Sequence, residues 1–286
     1  MPLGDSRISF IGSGVMGEAM IKGLLKQRLV TTAQIVAADP YEPRLRELRE
    51  RYEIEVTTDN HHAAEVADIL VLSVKPQVLT DVMSAVRRGA HSAKLVVSII
   101  AGAKIRTIAD GVANASVVRA MPNTPAQIGQ GITVWTATAE VPADQRAQAE
   151  ALLGAFGEQI YVDDERYLDM ATALSGTGPA YVFMFMEALI DAGVHLGFSR
   201  RDAQRLVLQT MRGSVEYAAA SGLHPAELRN QVTSPGGTSA EAIYHLEKGG
   251  LRTVISRAVW AAFQRSVQLG GGAPAVRNPD TLDGDR

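Results

Sequence analysis

A glycine-rich turn near the N-terminus is the first segment whose spacing indicates a binding function. Gly12, Gly14 and Gly17 follow the apolar run Ile8–Ile11 and precede a helical pattern, which is the context that a GxGxxG fingerprint requires. The first glycine permits a tight bend, the second lets a pyrophosphate approach the backbone, and the third lets the helix pack on the strand. The helix N-terminus then supplies amide donors. The segment predicts a dinucleotide site.

Asp39 stands at the end of the second apolar run, about 20 residues beyond the fingerprint. An acid at this place binds the hydroxyls of the adenosine ribose, which favours NAD. The carboxylate would repel a 2′-phosphate unless Arg44 or another cation compensated for it. Because Asp-Pro is also a favourable helix start, Asp39 could equally be an N-cap. The choice between NAD and NADP stays open.

A second glycine-containing loop offers donors for an anion. Gly236 and Gly237 precede Thr238 and Ser239 at the predicted start of a helix. This segment presents backbone amides and hydroxyls with no bulky side chain in the way, which suits a small carboxylate. Thr238 and Glu241 also fit a capping box, in which both side chains would serve helix stability.

The residue inventory excludes several kinds of catalysis. The chain has no cysteine, which excludes disulfides, thiolate nucleophiles and cysteine-ligated metals. Of the six histidines, we interpret His61 and His62 as a solvated loop or helix start, and we place His195 in the core or an interface. The histidines lack metal-ligand spacing, and the sequence has no GxSxG segment. These exclusions favour chemistry that is carried by a cofactor.

Charge and composition narrow the class of protein. The net charge of -3 argues against a nucleic-acid or anionic-membrane binder. A length of 286 residues, with 46% hydrophobic residues, allows two domains with their own cores. The sequence before Ser9 does not resemble a signal peptide, and the apolar run Ala180–Met186 ends at Glu187, too short to span a bilayer. We therefore expect a cytoplasmic protein.

Alternating strand-like and helical patterns occupy the first half of the chain. Strands are predicted at Ile8–Ile11, Gln34–Ala38, Ile54–Thr57, Ile69–Val74, Leu95–Ile100, Val117–Met121, Ile132–Thr136 and Gln159–Val162. Helical patterns cover Glu18–Gln27, Arg44–Arg51 and Val78–Arg88, and another helix opens near Pro142. The alternation indicates an α/β fold with a Rossmann-type, doubly wound sheet. We place this dinucleotide-binding domain at residues 1–166.

Helices alone are predicted from about Leu168, in an all-α dimerisation and substrate domain over residues 167–270. The segment Pro179–Leu196 is apolar on almost every side, so we expect a partner subunit to cover it. Ser199 with Asp202 predicts a capped helix start, and a later helix should end near Gly270. Residues 271–286 are rich in Gly, Pro and Asp, which predicts a disordered tail.

Three more polar turns lie at the ends of predicted elements, with the sequences VKPQ at 74–77, MPNTPA at 121–126 and SGTGPAY at 175–181. Each alone could be a plain turn or cap. With VTSPGGTS at 232–239 and the glycine fingerprint, they resemble the pyrroline-5-carboxylate reductases from Ile8 to about Leu269. The resemblance implies hydride transfer from NADPH or NADH to the imine of 1-pyrroline-5-carboxylate. The product would be L-proline, in the last step of proline biosynthesis.

The resemblance also implies which residues bind each partner. Together with the fingerprint and Asp39, it predicts cofactor contacts from Gly12, Ser13, Gly14, Val15, Met16, Gly17, Asp39, Asn60, Val74, Lys75, Pro76, Ala101 and Gly102. The predicted substrate contacts are Gly236, Gly237, Thr238, Ser239, Asn123 and Glu165. The family implies no metal. It implies a homodimer through the C-terminal helices, which in relatives often assembles into a larger ring.

Ser239 and Lys75 are the predicted catalytic residues. The resemblance implies that Ser239 hydrogen-bonds the imine nitrogen, whereas Lys75 either contributes electrostatics near the nicotinamide or organises its own loop. A protonated imine is already electrophilic, so proximity and charge complementarity suffice. Relatives usually have threonine at 239, which restricts the rotamer, and we expect a modest loss of preorganisation here. Thr177 replaces a usual serine, and Asp39 differs from the small or basic residues of NADP-preferring relatives.

Two other functions fit parts of the sequence. A β-hydroxyacid or imine dehydrogenase also joins a Rossmann domain to a helical one, but it typically has a catalytic lysine on a helix of the second domain. After residue 166 the only lysine is Lys248, beside Gly249 and Gly250 at a helix end. A non-catalytic module that senses dinucleotides would not need the anion loop at Gly236–Ser239.

Overall fold

One mixed sheet organises the first part of the chain, in a computed structural model that describes residues 2–273. Its strands are β1 (Ile8–Ile11), β2 (Ile35–Ala38), β3 (Glu55–Thr57), β4 (Ile69–Leu72), β5 (Leu95–Ser98), β6 (Val117–Met121), β7 (Gly131–Ala137) and β8 (Gly157–Tyr161). The spatial order is β3-β2-β1-β4-β5-β6-β7-β8. Neighbours are parallel except β6 and β7, which are antiparallel. All eight predicted strands are present; β1 and β6 have the predicted bounds, and the ends of the others shift by at most two residues.

Helices cover both faces of this sheet. They are α1 (Val15–Lys26), α2 (Glu42–Tyr52), α3 (Asn60–Glu65), α4 (Leu79–Ser92), α5 (Ile105–Val112) and α6 (Ala143–Gly154). Successive side chains of a strand point to opposite faces. Phe10 accordingly packs with α1 and α6 in one buried cluster, and Ile11 packs with α3, α4 and α5 in the other. Apolar runs such as β1, β4 and β5 are therefore buried throughout. The doubly wound α/β fold is confirmed.

The winding of the chain reverses between β1 and β4. From β1 the chain continues to β2 and β3 on one side, and then crosses to β4, β5 and β6 on the other side. Open α/β sheets bind their ligands at such a reversal, beyond the carboxyl ends of the strands. The turns that follow β1, β4 and β5 consequently lie side by side at this edge of the sheet.

Only helices follow β8 in the part of the chain that the structure describes. They are α7 (Arg166–Ala171), α8 (Gly178–His195), α9 (Arg200–Ser221), α10 (Pro225–Gln231), α11 (Thr238–Lys248) and α12 (Leu251–Leu269), with a π-helical turn at Thr172–Gly176. The predicted caps are confirmed at two ends. The Ser199 hydroxyl accepts a hydrogen bond from the Asp202 amide at 3.1 Å. Helix α12 ends at Leu269, immediately before Gly270.

The contacts within the chain define two compact units that differ from the predicted domains. One unit runs to Thr177 and resumes at Ala261, and the other is Gly178–Trp260. Helix α7 belongs to the first unit because it packs against β6 and β7. The last turns of α12 belong there too, since the Ser266 hydroxyl donates to Asp169 at 2.8 Å. The predicted boundary between residues 166 and 167 concerns the dinucleotide-binding and helical domains, which need not coincide with the contact units, and it stays a prediction.

Helix α8 is largely exposed in the single chain, although it is apolar on most sides. Phe183 is 60% exposed and Met184 is 74% exposed, and an apolar surface of this kind is typical of an interaction site. His195 is also exposed here, so the expectation that it lies in the core is wrong, and an interface position stays a prediction. The pair His61 and His62 does lie at a helix start, where both amides donate to Asp59.

One helical run among the described residues, Arg166–His195, is long and apolar enough to cross a membrane. Its 18-residue window has a mean hydropathy of 1.2, and 6% of the window is buried. The apolar run Ala180–Met186 was expected to be too short to span a bilayer; the helix that contains it continues through Glu187 and is long enough. One such helix is weak evidence for a membrane span, since the core helix of a soluble protein also passes this test of length and composition.

The first residues of the predicted disordered tail are hydrogen-bonded to the end of α12, so the expectation of disorder is wrong for Gly271 and Gly272. Gly271 donates to Gln268 and Gly272 donates to Val267 through their backbone amides, at 3.0 Å and 2.9 Å. These bonds close the C-terminal turn of α12 by satisfying its last carbonyls. The expectation for residues 274–286 lies outside the described residues.

Candidate active site

The three glycines of the fingerprint have three different geometries, as the sequence predicts. Gly12 has φ +90, and an added Cβ would lie 2.7 Å from Val74 Cγ1. An added Cβ on Gly17 would lie 2.7 Å from the Gly12 carbonyl oxygen, so only glycine lets α1 approach the turn. An added Cβ on Gly14 would meet nothing within 4 Å of it among the described residues. The open side of the turn is therefore at Gly14, where a pyrophosphate would approach.

The first turn of α1 offers amide donors at this open side. Gly14 is the N-cap residue, and its end of the helix has no side-chain cap among the described residues. Val15 is exposed and Met16 is half-buried. The first amides of a helix lack intrahelical partners and carry the positive end of its dipole. This arrangement can bind a phosphate group.

Asp39 fixes the glycine turn from the neighbouring strand end. Its Oδ2 accepts from the Ser13 amide at 3.0 Å, and its Oδ1 accepts from the Tyr41 amide at 3.0 Å. The Ser13 hydroxyl donates to the Ala38 carbonyl at 3.2 Å. The alternative that Asp39 is the N-cap of α2 is wrong, because Tyr41 occupies that position and Pro43 stands in the first turn. Both carboxylate oxygens therefore order the turn that would face the adenosine.

Arg44, the cation that could compensate for a 2′-phosphate, is already paired. Its Nε donates to the Ser13 carbonyl at 2.9 Å, and its guanidinium forms ion pairs with Glu18 and Glu47. Burial alone would raise the pKa of Glu18, but hydrogen bonds from Arg44 and Tyr52 outweigh burial and hold the pKa below its ordinary value. The charge of Arg44 is thus balanced within the protein.

The segment after β4 lies directly against the glycine turn. The Ser73 hydroxyl donates to the Gly12 carbonyl at 2.5 Å. Strand β4 ends at Leu72, two residues earlier than the sequence predicts. Val74 Cγ1 lies where a side chain on Gly12 would have to go. Lys75 is exposed and is the N-cap residue of a short 3₁₀ helix, Pro76–Val78. The structure therefore brings Val74–Pro76 together with Gly12–Gly17.

Two more predicted cofactor segments follow neighbouring strands. Ala101 and Gly102 form a turn after β5, and Gly102 has φ +74. Asn60 is the first residue of α3, which follows β3. Helix α3 packs against the face of the sheet to which Ile11 of β1 points. Because β5 neighbours β4 in the sheet, the Ala101–Gly102 turn lies at the same edge as Val74–Pro76. Contact of these residues with a cofactor stays a prediction.

The anion loop lies in the second compact unit. Gly236 has φ +69, and Gly237 is the N-cap residue of α11. An added Cβ on Gly237 would lie 2.5 Å from Ser234 Oγ, a side-chain atom that can rotate away, and 3.2 Å from the Ser234 carbonyl oxygen. The capping box expected from Thr238 and Glu241 is wrong, because the helix begins one residue too early for Thr238 to be its N-cap. Nothing in the described chain uses the hydroxyls of Thr238 and Ser239.

Two predicted substrate residues are bound to other parts of the protein. The Asn123 side chain donates to the Ser175 carbonyl at 3.2 Å and accepts from the Ile132 amide at 2.9 Å. Glu165 Oε1 accepts from Arg119 at 2.6 Å and from the Ile105 amide at 2.7 Å. Sequence reasoning missed Arg119 and Ser73. A charged residue inside the apolar strand Val117–Met121 was a signal that could have identified the first of them.

A metal centre has no support in the described residues, where His, Cys, Asp and Glu form no group of three that could hold an ion. The candidate binding groups among the described residues are backbone amides, hydroxyls and the side chain of Lys75. Such groups can bind phosphate and carboxylate anions and can polarise a reacting nitrogen.

Comparisons with known proteins cover almost the whole chain. Residues 165–269 match the family described as pyrroline-5-carboxylate reductase dimerisation, and residues 7–102 match an NADP oxidoreductase, coenzyme F420-dependent family. A pyrroline-5-carboxylate reductase of Synechocystis sp. is 41% identical and covers 92% of this chain and 98% of its own. The corresponding protein of Pseudomonas aeruginosa is 43% identical over 92% of this chain and 96% of its own.

The chain belongs to the pyrroline-5-carboxylate reductase family. A crystal structure of the Plasmodium falciparum pyrroline carboxylate reductase with NADP bound has a TM-score of 0.85 and 31% identity, over 93% of this chain and 98% of that one. The family resemblance and the fold inferred from the sequence are thus confirmed. Family membership sets aside the β-hydroxyacid or imine dehydrogenase and the dinucleotide-sensing module.

Two further predictions gain support from the reductase family. The match to a dimerisation family over residues 165–269 supports homo-oligomerisation. The oxidoreductase match ends at Gly102, so it spans the fingerprint, Asp39 and the turns after β4 and β5. The predicted cofactor segments all lie within that match.

Proposed function

We propose that this protein reduces 1-pyrroline-5-carboxylate to L-proline, with NADH or NADPH as the hydride donor. Family membership over nine-tenths of the chain is the observation that carries the proposal. Two binding features support it independently. The glycine turn has an open side at Gly14, and the loop at Gly236–Ser239 has amides and hydroxyls available for a carboxylate.

The cofactor would be held by the segments at the carboxyl edge of the sheet. The amides of Val15 and Met16 would bind the pyrophosphate at the N-terminus of α1. Val74–Pro76 and Ala101–Gly102 would line the path toward the nicotinamide, since their strands follow β1 in spatial order. The reduced nicotinamide supplies the hydride when it is bound.

The substrate would be held by the loop before α11. The amides of Gly237 and Thr238 would bind the carboxylate, and glycine at 236 and 237 keeps the approach open. Ser239 would hold its hydroxyl on the imine nitrogen and stabilise the proton there. Lys75, exposed and without a carboxylate partner among the described residues, would add positive charge near the carboxylate. A mechanism of this kind depends on positioning and electrostatics.

NADH is the cofactor that the adenosine end favours. Asp39 places a negative carboxylate beside the glycine turn, and Arg44 is neutralised by Glu18 and Glu47. A 2′-phosphate would therefore meet repulsion without a free cation to offset it. NADPH is the expected donor if the Glu18–Arg44 pair opens when the cofactor binds.

We further propose a soluble, cytoplasmic homodimer that can assemble into a larger ring. The second subunit would bury the exposed apolar side chains of α8, so the dimer would be soluble and α8 would not need a membrane. Light scattering of the purified protein tests this assembly. A dimer or a multiple of a dimer is expected, and a stable monomer would contradict it.

The function is tested by incubating the purified protein with racemic 1-pyrroline-5-carboxylate and reduced nicotinamide cofactor. We expect consumption of the cofactor that depends on the imine, with proline as the product. Folded protein that binds dinucleotide but consumes neither NADH nor NADPH would overturn the proposal.

A further inference from the structure

An arginine is buried in the sheet close to the candidate cofactor site. Arg119 lies on β6, next to β5, and its side chain is 3% exposed. A buried guanidinium is costly unless charged or polar partners surround it. The mechanism proposed above gives Arg119 no role, so its partners indicate what it does.

Two carboxylates at the start of α7 pair with Arg119. Glu165 Oε1 lies 2.6 Å from Nη1, and Asp169 Oδ1 lies 3.5 Å from Nη2. Asp169 also accepts from the hydroxyl of Ser266, a residue of α12 that is 2% exposed. Arg119, Glu165, Asp169 and Ser266, which we call the Arg119 cluster, join β6, α7 and the end of α12.

Glu165 connects this cluster to the N-terminus of α5. The same Oε1 that pairs with Arg119 accepts from the amide of Ile105, the first residue of α5, at 2.7 Å. Lys104, the N-cap residue of α5, gives no side-chain cap among the described residues. Glu165 therefore supplies the anion that the helix terminus favours, from a different part of the chain.

The Ala101–Gly102 turn lies between β5 and this capped helix. Gly102 has φ +74, and an added Cβ would lie 2.9 Å from Leu269 Cβ. Leu269 closes α12 one turn after Ser266, so the turn is held from two sides. Ile105 is fixed by Glu165 on one side, and Gly102 is packed against the end of α12 on the other.

We infer that the Arg119 cluster is a positioning device that holds the Ala101–Gly102 turn in its cofactor-binding shape. Glu165 then acts through the Ile105 amide on dinucleotide affinity, instead of contacting the substrate. The inference rests on the proposed function only for the assignment of Ala101–Gly102 to the cofactor. It differs from the resemblance, which gives Glu165 to the substrate.

The test compares the dissociation constant of NADH, measured by its fluorescence without substrate, in the wild type and two variants. Glu165→Gln removes the charge that Arg119 and α5 share, and we expect roughly tenfold weaker binding. Ser266→Ala removes one hydroxyl from the cluster, and we expect a change of about threefold in the same direction. Glu55→Gln makes the same chemical change at the Arg7 ion pair on β3, and it should leave the constant unchanged.

Steady-state kinetics separate positioning from substrate contact. Glu165→Gln should raise the KM for NADH, with KM for 1-pyrroline-5-carboxylate and kcat close to wild type. A raised KM for the imine with an unchanged NADH constant would overturn the inference. A lower melting temperature with an unchanged NADH constant would also overturn it, because the cluster would then be purely structural. If Glu165→Gln does not fold, Ser266→Ala decides the question.

A failure of the proposed function can be distinguished from a failure of this inference. A wild-type protein that binds NADH and does not reduce the imine would contradict that function. The binding constants of the variants would still test the Arg119 cluster.

Discussion

The side chain of Asn123 joins two motifs that are far apart in the sequence, since its Nδ2 donates to the Ser175 carbonyl at 3.2 Å. An added Cβ on Gly176 would lie 2.8 Å from Met121 Cε, so the two segments also pack closely. Ser175 and Gly176 end the π-helical turn at Thr172–Gly176, and Thr177 closes it by donating to the Thr172 carbonyl. Such turns often occur at functional sites.

Replacing Asn123 by alanine should destabilise the protein. The variant leaves the Ser175 carbonyl and the Ile132 amide without their partner, which costs about 1–3 kcal/mol for a buried group. Urea unfolding measures the change, with Thr124→Ala as an exposed neighbour for control. Unchanged stability with a raised KM for the imine would instead support the direct substrate contact that the sequence predicts.

Asp39 should control the choice between the two cofactors. Asp39→Asn keeps one acceptor oxygen and removes the charge that repels a 2′-phosphate. We expect kcat/KM for NADPH to rise relative to NADH by about tenfold, which corresponds to about 1.4 kcal/mol. Glu42→Gln, at an exposed acid in the first turn of α2, serves as the control. An unchanged ratio in Asp39→Asn would show that this carboxylate does not select the cofactor.

Ser239 should affect catalysis more than binding. Ser239→Ala removes the hydroxyl proposed to accept a hydrogen bond from the protonated imine nitrogen, and loss of one such electrostatic contact lowers kcat by about 100-fold. Ser239→Thr keeps the hydroxyl and restricts its rotamer, so kcat should equal or exceed that of the wild type. These values come from initial rates at saturating NADH. A Ser239→Ala enzyme with normal kcat would remove Ser239 from the mechanism.

Glu18 should contribute stability that disappears in acid. Its pKa is lowered in the folded state, against the effect of burial, by hydrogen bonds from Arg44 and Tyr52. A lowered folded pKa gives stability that is present above the unfolded pKa and lost as pH falls through the folded pKa. Glu18→Gln should therefore be about 1–2 kcal/mol less stable at neutral pH.

Measuring urea unfolding at several pH values checks this sign. The difference between wild type and Glu18→Gln should shrink as the pH falls below about 4, where the unfolded carboxyl is protonated. Glu150→Gln replaces an exposed acid on α6 and serves as a control at each pH. A difference that grows in acid would contradict the assigned direction of the pKa shift.

Much of the fold follows from local patterns. The apolar runs of β1, β4 and β5 and the glycine fingerprint predict the doubly wound sheet, because backbone geometry and burial act over a few residues. Helix ends are predicted well where a side chain caps its own helix, as at Ser199. The prediction fails at Thr238, where Gly237 in an extended conformation takes the cap position instead.

The interior of the site could not be predicted in the same way. Arg119, Glu165 and Ser266 are far apart in the sequence, so periodicity cannot reveal that they meet. Asn123 illustrates the same limit, since its motif suggests a ligand contact and its side chain joins two turns. A subunit that covers α8 was predicted because an all-apolar helix is unusual at a surface, and the match to a dimerisation family supports homo-oligomerisation.

The measurement that tests the central claim most directly is the stoichiometry of the reaction. Wild-type protein is given 1-pyrroline-5-carboxylate with NADH or NADPH, and oxidised cofactor and proline are quantified in the same samples. Our account predicts one proline formed for each reduced cofactor consumed, and no cofactor consumption without the imine. Cofactor oxidation without proline, or no oxidation by folded protein that binds dinucleotide, would contradict it.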